Sequence, residues 1–117
     1  MYNYYAVTDP RGLAPEGWRI PTKADWDKLI TQYQNDEQLL YAVLINGGLA
    51  GFNVLLGGRR LFKGEFQYFE VYTTLWCASL TENGKYSYDV EFDRQFTKSS
   101  QRVGMRGSGN YVRCIKE

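Results

Sequence analysis

A chain of 117 residues is long enough for one hydrophobic core and removes roughly two-thirds of its unfolded surface from water when it folds. Its 14 Lys+Arg against 13 Asp+Glu give a net charge of +1, so no field draws it to nucleic acid or to an anionic membrane. There is no histidine and there are only 2 cysteines, which excludes zinc-finger ligation, histidine-based catalysis and haem ligation together.

No apolar run approaches the ~20 residues that span a bilayer, and Met1 carries no basic or apolar leader behind it. No membrane insertion and no secretion address are therefore expected. The 10 Tyr, 6 Phe and 3 Trp bring the aromatic share to 16%, and 12 Gly supply turns, which suits a β-rich, loop-rich fold. Tyr and Trp also suit recognition surfaces, because they give large contact area at low entropic cost.

In chain order, Tyr2–Val7 is aromatic and β-branched and runs into Asp9-Pro10-Arg11-Gly12, which predicts a strand and a turn. A second turn at Pro15–Trp18 leads to Trp18 and Ile20 alternating around Arg19. Thr22 with Asp25 forms a capping-box-like start, so a helix is predicted from Lys23. Trp26, Leu29, Ile30 and Tyr33 fall on one face of it. Asn35-Asp36 is a second N-cap signal, and Leu39, Leu40, Val43 and Leu44 repeat the helical period up to Asn46-Gly47-Gly48. Two consecutive helices in one third of the chain predict an α+β architecture with segregated elements.

Beyond Gly51 no helical period survives. Phe52–Leu56 reads as a short strand closed by Gly57-Gly58, Arg59–Phe62 continues it, and Glu65–Tyr72 reads as a loop with strand-like pieces. Thr73–Leu80 and Lys85–Phe92 flank Asn83-Gly84, the pair preferred at the centre of a type I′ hairpin turn. That turn sets Cys77 opposite Val90 and Leu75 opposite Phe92, which makes one apolar face. The other face carries Trp76, Ala78, Ser87, Asp89 and Glu91. Phe96–Val103 is polar and basic, Gly104–Asn110 is punctuated by glycine, and Tyr111–Ile115 closes as a final strand. With no repeat and no linker, residues 1–117 form one domain, either a stand-alone product or part of a longer protein.

The opening Tyr2-Asn-Tyr-Tyr-Ala-Val7, Asp9-Pro-Arg-Gly-Leu13, Pro15-Glu-Gly-Trp-Arg-Ile-Pro-Thr22, the Asp25-Trp26 helix start, Trp76-Cys-Ala-Ser79 and Tyr111-Val-Arg-Cys-Ile115 follow one another in an order that resembles the Fibrobacter succinogenes major paralogous domain. That family is a branch of the C-type-lectin-like fold. The resemblance spans essentially the whole chain and implies a binding module in place of an enzyme. It implies paired N- and C-terminal strands, two helices laid against them, and a small twisted antiparallel sheet whose long loops form the recognition face.

Two departures stand out. The resemblance implies a cysteine just before the Pro-Glu-Gly-Trp segment, suited to pair with the C-terminal cysteine, where this chain has Ala14. It also implies Ser after a Trp-Trp pair, where this chain has Leu75-Trp76-Cys77. A Cys77–Cys114 disulfide stays geometrically open, with reduced thiols as the default. Both departures favour assembly in a reducing compartment, as for a phage component.

Among fold relatives, enzymes similar to the formylglycine-generating enzyme need activated cysteines, and with no histidine in the chain that activity is not expected. Calcium-dependent lectins carry a Trp-Asn-Asp strand, where this chain has Trp76-Cys-Ala. Variable proteins of diversity-generating retroelements carry changeable residues in the C-terminal third, which points to Leu75–Tyr111 by analogy of fold alone.

The expected ligand face therefore combines Trp76, Arg94, Phe96, Lys98, Arg102, Arg106 and Asn110, since arginine and aromatic groups dominate binding hot spots. Against it stand a second core layer for Trp76 and an ordinary solvated face for the charges. Asp89, Glu91 and Asp93 alternate on one strand without a second ligand set, and Gly57-Gly58 beside Arg59-Arg60 has no helix after it to make a phosphate cradle. No catalytic residue, metal or cofactor is expected. The expected function is ligand binding or adhesion to a protein or glycan on a cell surface, in a phage receptor-binding or bacterial surface component. The alternative is a structural virion or assembly protein that uses the same face against virion neighbours or as a homo-oligomer. Either would sit on a virion or cell surface if the chain belongs to a larger assembly.

Overall fold

A computed structural model describes all residues, 1–117. Helices α1 (Tyr4–Val7), α2 (Lys23–Gln32) and α3 (Glu37–Leu44) accompany seven strands. These are β1 (Trp18–Arg19), β2 (Gly57–Arg60), β3 (Phe66–Phe69), β4 (Tyr72–Leu80), β5 (Ser87–Asp93), β6 (Lys98–Gly104) and β7 (Ile115–Lys116). The architecture is α+β, as the sequence predicts. β2 to β6 form one sheet in the order β3-β2-β4-β5-β6, and β1 pairs with β7 so that the two ends of the chain meet. The sheet is mixed instead of antiparallel, because β2 runs parallel to β4 through the Gly58–Thr73 pair.

Local chemistry explains both predicted helices. Thr22 Oγ1 accepts from Asp25 N at 3.2 Å while the Asp25 carboxylate accepts from Thr22 N at 2.8 Å, a reciprocal capping box that starts α2 at Lys23. Asp36 Oδ1 accepts from the backbone N–H groups of Gln38 and Leu39, both at 3.0 Å, and starts α3. Trp26, Leu40 and Leu44 then meet Leu75, Cys77, Val90 and Phe92 of the sheet in the larger core layer, the apolar face predicted for the hairpin.

The opposite sheet face was expected to be a mixed surface and is instead a second core layer. Trp76 is 0% exposed beneath Tyr4, Val7 and Ile20. The cover comes from the segment predicted as the first strand, which is a one-turn helix. Asn3 Oδ1 accepts from Ala6 N at 3.1 Å and nucleates the turn, placing Tyr4 and Val7 on one face over the indole. Extended structure at the N-terminus is confined to a bridge between Tyr2 and Asn110, and the strand that pairs with the C-terminus is β1.

The hairpin between β4 and β5 departs from its predicted turn and register. Its loop holds four residues, 82–85, closed by Thr81 N donating to Tyr86 O at 2.9 Å, and only Gly84 is left-handed, with φ 68°. Asn83 instead uses its side-chain oxygen to accept from Lys85 N at 3.0 Å. Leu80 opposite Ser87 keeps the predicted register, but Leu75 lies opposite Val90 and Thr73 opposite Phe92, a slip of two residues across a bulge between Trp76 and Leu80. A two-residue slip preserves which face each side chain occupies, so the apolar face survives. Phe52–Leu56 is not a strand and contributes one bridge, between Val54 and Ile45. The aromatic run Phe66–Phe69, within the segment read as a loop with strand-like pieces, is the edge strand β3.

Candidate functional site

The residues expected to share one ligand face do not share it. Trp76 and Asn110 are buried, the latter 1% exposed, and belong to the second core layer and its rim. Trp76 packs edge-on to Tyr4 with ring centroids 5.4 Å apart. Asn110 donates through Nδ2 to Asp89 Oδ2 at 3.3 Å. Arg102 Nε donates to Asp89 Oδ1 at 2.8 Å, and its Nη1 reaches Glu91 Oε2 at 3.4 Å, so its charge is spent on internal carboxylates. Phe96 and Lys98 sit together at the β5–β6 turn, with Nζ 5.7 Å from the ring centre. Arg106 lies 5.8 Å from the Tyr5 ring beside the N-terminal segment. The structure thus separates six of the seven: Trp76 and Asn110 are buried with Arg102 paired at their edge, Phe96 and Lys98 sit at a turn, and Arg106 lies beside the N-terminal segment. Of the seven, Arg94 alone lines a wide concavity of the surface.

That concavity is an open groove of about 740 Å³. Three chain segments that are distant in sequence build it. One wall is the end of α3 and the segment after it, including Tyr41, Ile45, Phe52 and Leu55; the other is Tyr111–Arg113. Leu75 and Val54, both buried, form its floor. Tyr111 Oη donates to Gly57 O at 3.1 Å and fixes the two walls relative to each other. A side chain at position 57 would overlap the Tyr111 phenol, so glycine is required for that approach.

Phe69, the last residue of β3, and Glu70, the first of the short link to β4, make the lip. Tyr68 and Glu70 both adopt left-handed backbone, φ 64° and 62°, at about 1–2 kcal/mol each for a non-glycine residue. Bonds on either side hold this turn: Glu70 N donates to Leu56 O at 2.8 Å and Arg94 N to Val71 O at 2.9 Å. Its consequence is that Phe69 stands at the groove 73% exposed.

Two arginines border the groove without a carboxylate partner. The Arg113 guanidinium lies 4.5 Å from the centre of the Phe52 ring, and Arg94 Nη1 donates to Glu70 O at 3.3 Å. Burial raises three ionisable groups away from the groove. Burial pushes the Asp89 carboxyl above its ordinary range against the pull of Arg102, burial likewise raises the Tyr72 phenol, and burial with the nearby Asp89 charge pushes the Cys77 thiol up to about 12. None of the three lines the groove. No cluster of three or more Asp, Glu or Cys side chains is arranged to hold a metal ion, and no helix is long and apolar enough to cross a membrane.

Sequence reasoning reached Arg94 but missed Phe52, Phe69 and Arg113. Nothing in the sequence links these positions, because a two-residue crossing turn and the return of the C-terminus bring them together. The one available signal was the aromatic density of Phe66–Phe69, which exceeds what a solvated loop needs.

A comparison with curated proteins and one with solved structures give no match. The family model of the Fibrobacter succinogenes major domain matches residues 1–116, and the chain belongs to that family.

Proposed function

We propose that the chain is a non-catalytic binding domain that recognises a protein or a glycan, as part of a phage receptor-binding or bacterial surface-adhesion component. The observation that carries this reading is the open groove of about 740 Å³, with an apolar floor, an aromatic lip and two unpaired arginines at its edge. Ligand sites take this form, mostly apolar with a few placed polar groups. The walls are pinned by backbone and phenol hydrogen bonds, so little ordering entropy is lost when a ligand enters. The site moves accordingly from the residues after the hairpin to the groove, with Arg94 common to both.

The test is binding of the purified chain to a glycan array and to whole bacterial cells, beside a Phe69→Ala, Arg113→Ala double variant. Both side chains are exposed, so the variant keeps its fold. Binding by the parent chain that the variant loses supports the reading. Binding retained by the variant, or absent from the parent chain, sinks it.

A second reading, an assembly protein that packs against neighbouring subunits, is favoured by the edge strand β3. Phe66 is 72% exposed there, beside an exposed Phe62, and edge strands present unpaired backbone groups to other chains. Association that grows with concentration in light scattering, and that Phe66→Glu abolishes, would select this reading over the first.

A further inference from the structure

We propose that the groove receives an acidic peptide segment of a protein partner, with an apolar or aromatic side chain lying between Phe52 and Phe69 and a neighbouring carboxylate meeting Arg113. This deepens the binding reading of the same groove and rests on it.

The aliphatic part of the lining favours a peptide side chain over a sugar. Ile45, Val54, Leu55, Leu56 and Leu75 are aliphatic and offer no donor or acceptor from their side chains. A sugar pressed onto them would lose water from hydroxyls that gain no partner, which is costly. An aliphatic or aromatic side chain loses nothing there and gains apolar burial. The volume accommodates a few side chains of an extended segment.

The charge at the edge selects the sign. Two guanidinium groups, Arg94 and Arg113, face one carboxylate, Glu70, among the lining residues. The chain's ion pairs use neither arginine. Arg113 is steadied over the Phe52 ring at 4.5 Å, which holds the guanidinium at the groove while its N–H groups remain available for a carboxylate. Arg94 is tethered by its single bond to Glu70 O and keeps its other donors. Apolar contact and a charge-assisted pair are thus offered within one concavity, which is the chemistry of an acidic residue beside a hydrophobic one. A basic or neutral polar segment would leave both guanidinium groups unpartnered.

The experiment is selection of a linear heptapeptide library, displayed on phage, against the folded 117-residue chain, counter-selected on a Phe69→Ala, Arg113→Glu variant. The recovered peptides are then synthesised, and their affinity is measured by fluorescence anisotropy at two salt concentrations. The expected result is an Asp or Glu within two positions of an aromatic or aliphatic residue. Binding to Arg113→Glu should be weaker by about tenfold or more, and more so at low salt. Exchanging the peptide carboxylate for Lys should restore binding to Arg113→Glu while abolishing it on the parent chain, a charge swap that loss of fold cannot mimic. Recovered peptides that are neutral or basic, or that bind Arg113→Glu as well as the parent, overturn the proposal. If the parent chain binds a glycan and Phe69→Ala removes that binding while no peptide is recovered, the acidic-peptide proposal falls and the groove stands. If neither class of ligand responds to Phe69→Ala, both fall.

Discussion

Trp76 Nε1 donates a 2.7 Å hydrogen bond to the backbone carbonyl of Tyr2, 74 positions earlier in the chain. The same carbonyl accepts from Asn110 N at 3.0 Å, and Tyr2 N donates back to Asn110 O at 2.8 Å. One indole therefore ties the N-terminal segment to the middle of the sheet and to the C-terminal return. It does so from the centre of the second core layer, where it also supports Tyr4 and Ile20.

Replacing Trp76 tests that role. Trp76→Ala should cost about 3–5 kcal/mol, as expected for emptying a fully buried aromatic site. Trp76→Phe should cost about 1–3 kcal/mol, combining a smaller void with one lost hydrogen bond. Chemical denaturation followed by circular dichroism measures both. Groove binding by the folded fraction of Trp76→Phe should match the parent chain; a selective loss of binding at full stability would return the indole to the ligand face.

A second prediction concerns the polar part of that layer. A Cβ at position 104 would fall on Asp89 Oδ2, so Gly104 is what allows the β6 backbone to lie against a buried, arginine-paired carboxylate. Gly104→Ala should destabilise the fold by about 1–3 kcal/mol through overpacking. Gly12→Ala provides the contrast, because nothing lies near that position and only its left-handed φ of 78° resists substitution. Thermal unfolding should place Gly104→Ala below Gly12→Ala, and the reverse order would remove the steric argument.

How much of this was legible in the sequence varies with how local the cause is. Both α2 and α3 were readable because Thr22, Asp25 and Asp36 act within four residues of the backbone groups they cap. The hairpin was readable as a hairpin, but its bulge was not. Ala78 N donates to Pro21 O at 2.8 Å, and Lys23 N donates to Ser79 Oγ at 2.9 Å. These partners lie more than fifty residues away, and they draw β4 off the ladder. At the N-terminus a local signal was present and lost to β propensity: Asn3 before Tyr4 and Val7, three apart, is the pattern of a capped turn. The groove was least legible, since its walls, floor and lip come from segments between positions 41 and 113 and the lip depends on left-handed Tyr68 and Glu70, which no residue preference favours.

The third prediction is the contribution of Asp25 to the pH dependence of stability. Arg19 bonds both carboxylate oxygens of Asp25, and with the Thr22 backbone it holds that carboxyl far below the usual value of about 4. A carboxyl depressed in the folded state binds fewer protons there than in the unfolded chain. Its contribution is thus complete above pH ~4–5 and is lost as the pH falls toward its folded value. Thermal melts from pH 6 to pH 2 should show the loss in the parent chain, and Asp25→Asn should be less stable at pH 6 with a flatter profile below pH 4. Parallel profiles would mean that the Arg19–Asp25 pair does not couple to folding.

The two thiols should separate cleanly by reactivity. Both are free, Cys77 is 0% exposed, and Cys114 is half-buried near the chain end. With its thiol pushed up to about 12 by burial and by Asp89, Cys77 holds almost no thiolate at pH 8. A thiol-exchange reagent at that pH should therefore modify one cysteine per native chain, and two after denaturation in guanidinium. Cys114→Ser should abolish the native reaction while leaving one reactive thiol in the unfolded chain. Two thiols reacting at similar rates in the native protein would mean that the larger core layer, between α2, α3 and the sheet, opens readily.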